Sequence, residues 1–139
     1  MTPAPDQLHD FARRYTEAWC SQDPARVAEH YAPEGSLAIN GGTPSVGRAA
    51  ITEAAQSFMT GFPDMQVIMD ELVTQEDGAE YRWTFVGTNT GPGAGGKRVR
   101  ISGFEEWTIG DDGLIAASLG HYDQAEYDRQ LEHGVEEPR

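Results

Sequence analysis

Basic residues are scarce in this chain. Lysine and arginine total 10 against 23 aspartates and glutamates in 139 residues, a net charge of −13. A nucleic-acid partner needs a basic footprint for its phosphates, so this balance argues against one. It argues equally against an anionic membrane surface. Cysteine is nearly absent: Cys20 stands alone, and no disulfide can form within the chain. It falls on the apolar side of a helical stretch and reads as buried filler. No apolar run approaches the roughly 18 residues that span a bilayer. The opening Met1-Thr2-Pro3-Ala4-Pro5-Asp6 lacks the basic and apolar regions of a signal peptide, so a cytoplasmic protein is expected.

Metal and cofactor signatures are missing too. His9, His30, His121 and His133 show no metal-ligand spacing, and no His-Glu-x-x-His occurs. Gly91-Pro92-Gly93-Ala94-Gly95-Gly96-Lys97 has the outline of a phosphate loop. Such a loop needs Ser or Thr next and a helix to present its amides. Arg98 and a strand follow instead, so a hairpin loop at the rim of the sheet is the reading. That loop could act as a lid. Chemistry in this chain is expected to need neither a metal nor any other cofactor.

What is present is one domain's worth of ordinary globular sequence, residues 1–139, with frayed ends expected at 1–5 and 133–139. Leu8, Phe11, Ala12, Tyr15, Ala18 and Trp19 recur at helical spacing and predict a helix over 6–20. Asp23-Pro24 opens a second helix, with Val27, Ala28 and Tyr31 on its face and Pro33-Glu34-Gly35 as its stop. A short strand over 36–40 follows. A third helix over 47–60 carries Ile51, Ala54, Ala55, Phe58 and Met59 inward, and Gly61 and Pro63 end it. Residues 65–73, 81–88, 97–109 and 114–122 read as strands joined by Gly-containing turns, and 124–132 as a final helix. Helices first and a meander after is the α+β pattern. A curved, mostly antiparallel sheet, a half-barrel cone, is expected. The three helices of the N-terminal half would enclose a pocket against its concave face.

Four segments carry a family resemblance. The first is Tyr15-Thr16-Glu17-Ala18-Trp19 with Asp23-Pro24 and Tyr31-Ala32-Pro33-Glu34-Gly35. The second is Gly47-Arg48-Ala49-Ala50-Ile51 with Phe62-Pro63-Asp64. The third is Trp83 to Gly91 with Gly96-Lys97-Arg98-Val99. The fourth is Asp112-Gly113-Leu114-Ile115 with Tyr122-Asp123 and Arg129-Gln130-Leu131. Together they resemble the nuclear transport factor 2-like cone fold, and within it SnoaL-like, polyketide cyclase-like proteins. The resemblance implies an acid/base Asp on the last strand and a His on the strand before. Counted back from Arg129-Gln130-Leu131, those positions hold Gly120 and, nearby, Glu105. A common Gly-Thr-His-Thr-Gly stands as Gly87-Thr88-Asn89-Thr90-Gly91. Ketosteroid isomerases of this fold imply a Tyr and a protonated acid, at or near Tyr15 and Glu105. Their base position falls on Ile39, with Asn40 beside it. The Arg-x-Asp motif of limonene-type epoxide hydrolases is absent.

Glu105 is the leading candidate for chemistry. Alternation in Ile101-Ser102-Gly103-Phe104-Glu105-Glu106-Trp107 puts Glu105 between Gly103 and Trp107 on one face. If that face is concave, burial raises its pKa and suits it to acid/base work. With the opposite parity Glu106 points inward. Asp123 is the second catalytic candidate, paired with His121 two residues before it, and it is equally a helix cap for 124–132. Tyr15 is the candidate phenol donor. Trp19, Asn40, Phe58, Met59, Trp83, Trp107 and His121 are candidate substrate contacts, most of them equally at home in a core. The expected function is cofactor-independent proton transfer on an apolar cyclic or carbonyl substrate. The alternative is a non-catalytic ligand-binding or dimerisation module. A homodimer through the outer face of the sheet is expected.

Overall fold

The computed structural model describes residues 4–91 and 94–135. Helix α1 (Pro5–Cys20) forms because Leu8, Ala12, Tyr15 and Trp19 make one apolar stripe, and all four are buried. Its outer face carries Asp10, Arg13, Arg14 and Glu17, linked by surface ion pairs such as Arg14–Asp10 at 3.2 Å. Asp23 caps α2 (Pro24–Ala28), its carboxylate accepting from the Ala25 amide at 3.2 Å. Helix α3 spans Arg48–Gly61 and α4 Gln124–His133.

Six strands form one open mixed sheet: β1 (Tyr31–Ile39), β2 (Ser45–Val46), β3 (Gln66–Gln75), β4 (Gly78–Thr88), β5 (Arg98–Ile109) and β6 (Ile115–Tyr122). The order is β2-β1-β6-β5-β4-β3, antiparallel except where β1 runs parallel to β6. This is the expected α+β cone. A register shift between Met69 and Glu71 keeps Met69 and Leu72 on the same side as Val67, facing the helices. Cys20 is half-buried at the end of α1, its Sγ accepting from the Val67 amide at 3.3 Å.

One expected boundary is wrong. Tyr31 to Gly35 is strand, where the sequence suggested the end of a helix. Helix α2 stops at Ala28, and the His30 carbonyl already accepts from the Ile115 amide of β6 at 3.0 Å. The parallel register then shifts between Tyr31 and Ser36, and Pro33 sits in that irregular stretch, where a missing amide is tolerated. A Cβ at Gly35 would lie 2.7 Å from the Ile115 carbonyl oxygen, so only glycine permits this close approach. Of the expected frayed ends, residues 1–3 and 136–139 lie outside the described residues. Pro5 and His133 are the terminal residues of helices. Pro92 and Gly93 of the glycine-rich loop also lie outside the described residues.

Candidate functional site

Strand parity decides which side chains meet. Glu105 on β5 pairs with Tyr81 on β4 and with Gly120 on β6, and Trp107 pairs with Ser118. All face the concave side. Glu105 is 8 % exposed, and Glu106 points to the opposite face. Three donors converge on one oxygen of Glu105. Oε1 accepts from Trp107 Nε1 at 2.8 Å, Ser118 Oγ at 2.9 Å and the Tyr15 hydroxyl at 3.0 Å. Tyr15 also shares a hydrogen bond with the Tyr31 hydroxyl at 2.8 Å. No hydrogen bond reaches Oε2 among the described residues, and Glu105 lines the cavity that opens beside it.

Gly120 makes the room on that side. Its Cα faces the carboxylate with no side chain between, and a Cβ there would stand 3.8 Å from Glu105 Cγ. The cavity measures about 80 Å³. Its walls are aromatic and aliphatic: Trp19 from α1, Phe58 from α3, Trp83 and Phe85 from β4, and Tyr122 and Tyr127 at the β6–α4 end. Among the lining residues only Glu105 is acidic and none is basic.

Burial raises the Glu105 pKa from its ordinary value of 4.5, while the hydrogen bonds from Trp107, Ser118 and Tyr15 pull part of that shift back. Burial, then the charge of Glu105, pushes the Tyr15 and Tyr31 hydroxyls well up, so both stay protonated donors. Burial pushes Tyr127 up to about 12. A carboxyl with one oxygen held by three donors and the other open to an apolar cavity can give or take a proton at the open oxygen. If Glu105 is protonated, Oε2 is the oxygen free to carry the proton.

Several sequence expectations are corrected by this geometry. Asp123 is exposed and caps α4, its carboxylate accepting from the Glu126 amide at 3.1 Å, so it takes no part in the cavity. His121 has the parity of the convex face, where its Nε2 lies 2.6 Å from Glu106 Oε2 and its ring 4.8 Å from Phe104. Asn40 sits at a turn with φ of 52°, and its side chain ties the Tyr122 amide (2.9 Å) to Gln124 (3.1 Å). Met59 is core, 2 % exposed, and does not line the cavity. Trp107 lies behind Glu105, stacked on Tyr81 with centroids 4.9 Å apart, and serves as donor rather than wall. Tyr15 is fully buried and acts on Glu105, without reaching the cavity. Trp19, Phe58 and Trp83 do line it.

The sequence reading missed Ser118, Tyr31, Tyr122 and Tyr127. Ser118, Gly120 and Tyr122 share one parity, so pairing Gly120 with Glu105 would have found two of them. Tyr31 was hidden by the helix assigned to it. Among the described residues no cluster of three His, Cys, Asp or Glu side chains could hold a metal ion, and no helix is long and apolar enough to cross a membrane.

No curated protein sequence matches the chain. Solved structures share the fold. TsrD from Streptomyces laurentii is 23 % identical with a TM-score of 0.80, over 93 % of this chain and 97 % of that one. A protein of ketosteroid isomerase-like fold from Catenulispora acidiphila DSM 44928, in complex with trimethylamine, is 14 % identical with a TM-score of 0.78, over 95 % of each chain. A phenazine biosynthesis-related protein from Pseudomonas aeruginosa is 17 % identical with a TM-score of 0.69, over 98 % and 96 %. These likenesses concern the fold. The family model for SnoaL-like polyketide cyclases matches residues 9–131, from the first helix to the last, and the chain belongs to that family.

Proposed function

We propose that the protein is a small-molecule enzyme that moves a proton with Glu105, on an apolar cyclic substrate bearing a carbonyl. The observation that supports this is the split carboxylate: three donors on Oε1, and Oε2 open to the cavity. In the proposed step Oε2 takes a proton from carbon next to the carbonyl. The C–H bond breaks, an O–H bond forms, and the electron pair moves to the carbonyl oxygen. Return of the proton to the same carbon completes an exchange, and its return to another carbon of a conjugated system completes an isomerisation. Tyr15 and Ser118 act as positioning residues, and the reaction needs no cofactor.

The test is deuterium incorporation next to the carbonyl of 1-tetralone in D2O, with a parallel screen against small epoxides. The native protein should accelerate exchange, and Glu105→Gln should reduce it to the uncatalysed rate. Equal rates for the two proteins would sink the proposal. One observation favours a passive binding module instead: with Gly120 opposite it, Glu105 is the only carboxyl among the residues that line the cavity. That reading expects ligand binding without turnover in both proteins.

The same proposal includes a homodimer through the convex face. Leu119 (49 % exposed), Ile68 (49 %) and Val73 (39 %) stand on that face, and Val46 (63 %) lies at its β2 edge. They stand on β3, β6 and β2 of one sheet, with β4 and β5 between β3 and β6, and a second copy laid across this face would cover them.

A further inference from the structure

Strand β5 carries opposite charges at its two ends on the convex face. It pairs with β4 without a break from Arg98 to Thr108, so Arg98, Arg100, Ser102, Phe104 and Glu106 share that face. Their neighbours Val99, Ile101, Glu105 and Trp107 are buried on the concave side. Arg98 and Arg100 stand exposed at one end and Glu106 at the other. The Arg100 backbone amide donates to Gln130 Oε1 at 2.7 Å, but its guanidinium has no hydrogen bond or ion pair among the described residues. Glu106 meets His121 through Oε2 and leaves Oε1 open. The charges between these ends are already engaged. Arg82 is paired with Glu80 and Glu71, and Asp70 accepts from Thr84.

Two copies of a chain with a net charge of −13 repel, so a second copy on this face needs acid set against base. A symmetric pair of sheets stacked face to face is related by a two-fold axis lying between them. With that axis along the strands, Arg100 would meet the partner's Arg100, and Glu106 the partner's Glu106. With the axis across the strands at the level of Gly103, each strand runs antiparallel over its own copy. Arg100 and Glu106 lie on either side of Gly103, each about 10 Å along the strand. Arg100 then comes over the partner's Glu106, and the pair forms twice. Stacked sheets stand about 10 Å apart, a gap that extended Arg and Glu side chains bridge together. Such pairs choose an arrangement more than they add affinity.

We infer that a second copy lies antiparallel across this face, with Arg100 of each protomer paired to the partner's Glu106. The inference rests on the reading that the convex face is a homodimer interface, and it deepens that reading by naming the arrangement and the charges that select it.

The experiment is sedimentation velocity at micromolar concentration on the native protein, Arg100→Glu, Glu106→Arg and the double variant. Both side chains are exposed, and thermal unfolding checks that each variant folds. Each single reversal replaces two attractions by two repulsions and should weaken the dimer about tenfold or more. The double variant exchanges the charges and should return to within about threefold of native. A second measurement reads the arrangement directly. A nitroxide on Thr108→Cys, in a Cys20→Ala background, should lie about 30 Å or more from the partner's label, since each stands five residues from the axis along the strand. A separation under about 20 Å would mean an axis along the strands and would overturn the inference. Dimers unaffected by the single reversals, or a double variant no better than the singles, would overturn it as well. If Leu119→Glu still dissociates such a dimer, the convex interface stands and only this arrangement falls. A native protein that stays monomeric removes both.

Discussion

Glu105 can be removed in two ways that the structure separates. Gln keeps an oxygen where Oε1 accepts from Tyr15, Trp107 and Ser118, and it turns its amide nitrogen toward the cavity. Ala leaves those donors without their acceptor. Tyr15 retains the Tyr31 hydroxyl, but the Trp107 indole N–H and the Ser118 hydroxyl lose the carboxylate oxygen they share. Each buried donor left unmet costs about 1–3 kcal/mol, so with two of them Glu105→Ala should lose about 2–6 kcal/mol. Against a total of about 5–15 kcal/mol for a domain this is a large fraction. Glu105→Gln should stay within about 1 kcal/mol of the native protein near pH 4, where the native carboxyl is mostly protonated. Urea unfolding of the three proteins measures both differences. The pH dependence supplies a second check. Burial raises the folded-state pKa of Glu105, so the folded protein holds this proton more tightly than the unfolded chain. Its contribution is fully present below the ordinary value of 4.5 and is lost as pH rises through the folded pKa. The native protein should therefore weaken relative to Glu105→Gln on going from pH 4 to 8. If Ala and Gln prove equally stable, or the difference between Gln and native is flat with pH, the buried three-donor carboxyl is wrong.

Tyr15→Phe removes one donor that favours the carboxylate, so the pH profile of exchange should shift to higher pH, followed as rate against pH. Gly120→Asp should fold, since a Cβ there meets nothing nearer than 3.6 Å, and a second acid beside Glu105 should also move the profile upward. Asp123→Ala should cost about 1 kcal/mol through loss of the α4 cap in thermal unfolding and leave exchange intact. Leu119→Glu should yield a monomer by light scattering at micromolar concentration, with the native protein a dimer.

The strand carrying Glu105 was legible because alternation is local: Ile101, Gly103, Glu105 and Trp107 share a face whatever the fold does. Which face is concave was not legible, and neither was the parity of the last strand. His121 and Asp123 looked like a pair aimed at the cavity. Pairing of Gly120 with Glu105 turns Ser118 and Tyr122 inward and sends His121 out to Glu106. Asp123 carried both of its readings in the sequence, and only the Glu126 amide at 3.1 Å chooses the cap. Helix α4 was foreseen, but not Tyr127 as part of the cavity wall.

Most element types, though not strand β1 from Tyr31 to Gly35 or strand β2, could be read from the sequence, as could the α+β order, the scarcity of basic residues and the acid to examine first. These follow from period, turn residues and composition, which act over a few residues. Tertiary structure alone decided which carboxylate is buried and which of its oxygens three donors hold. Those depend on register between strands and on helices packed across them, contacts between residues as far apart as Tyr15 and Glu105 that no local pattern encodes.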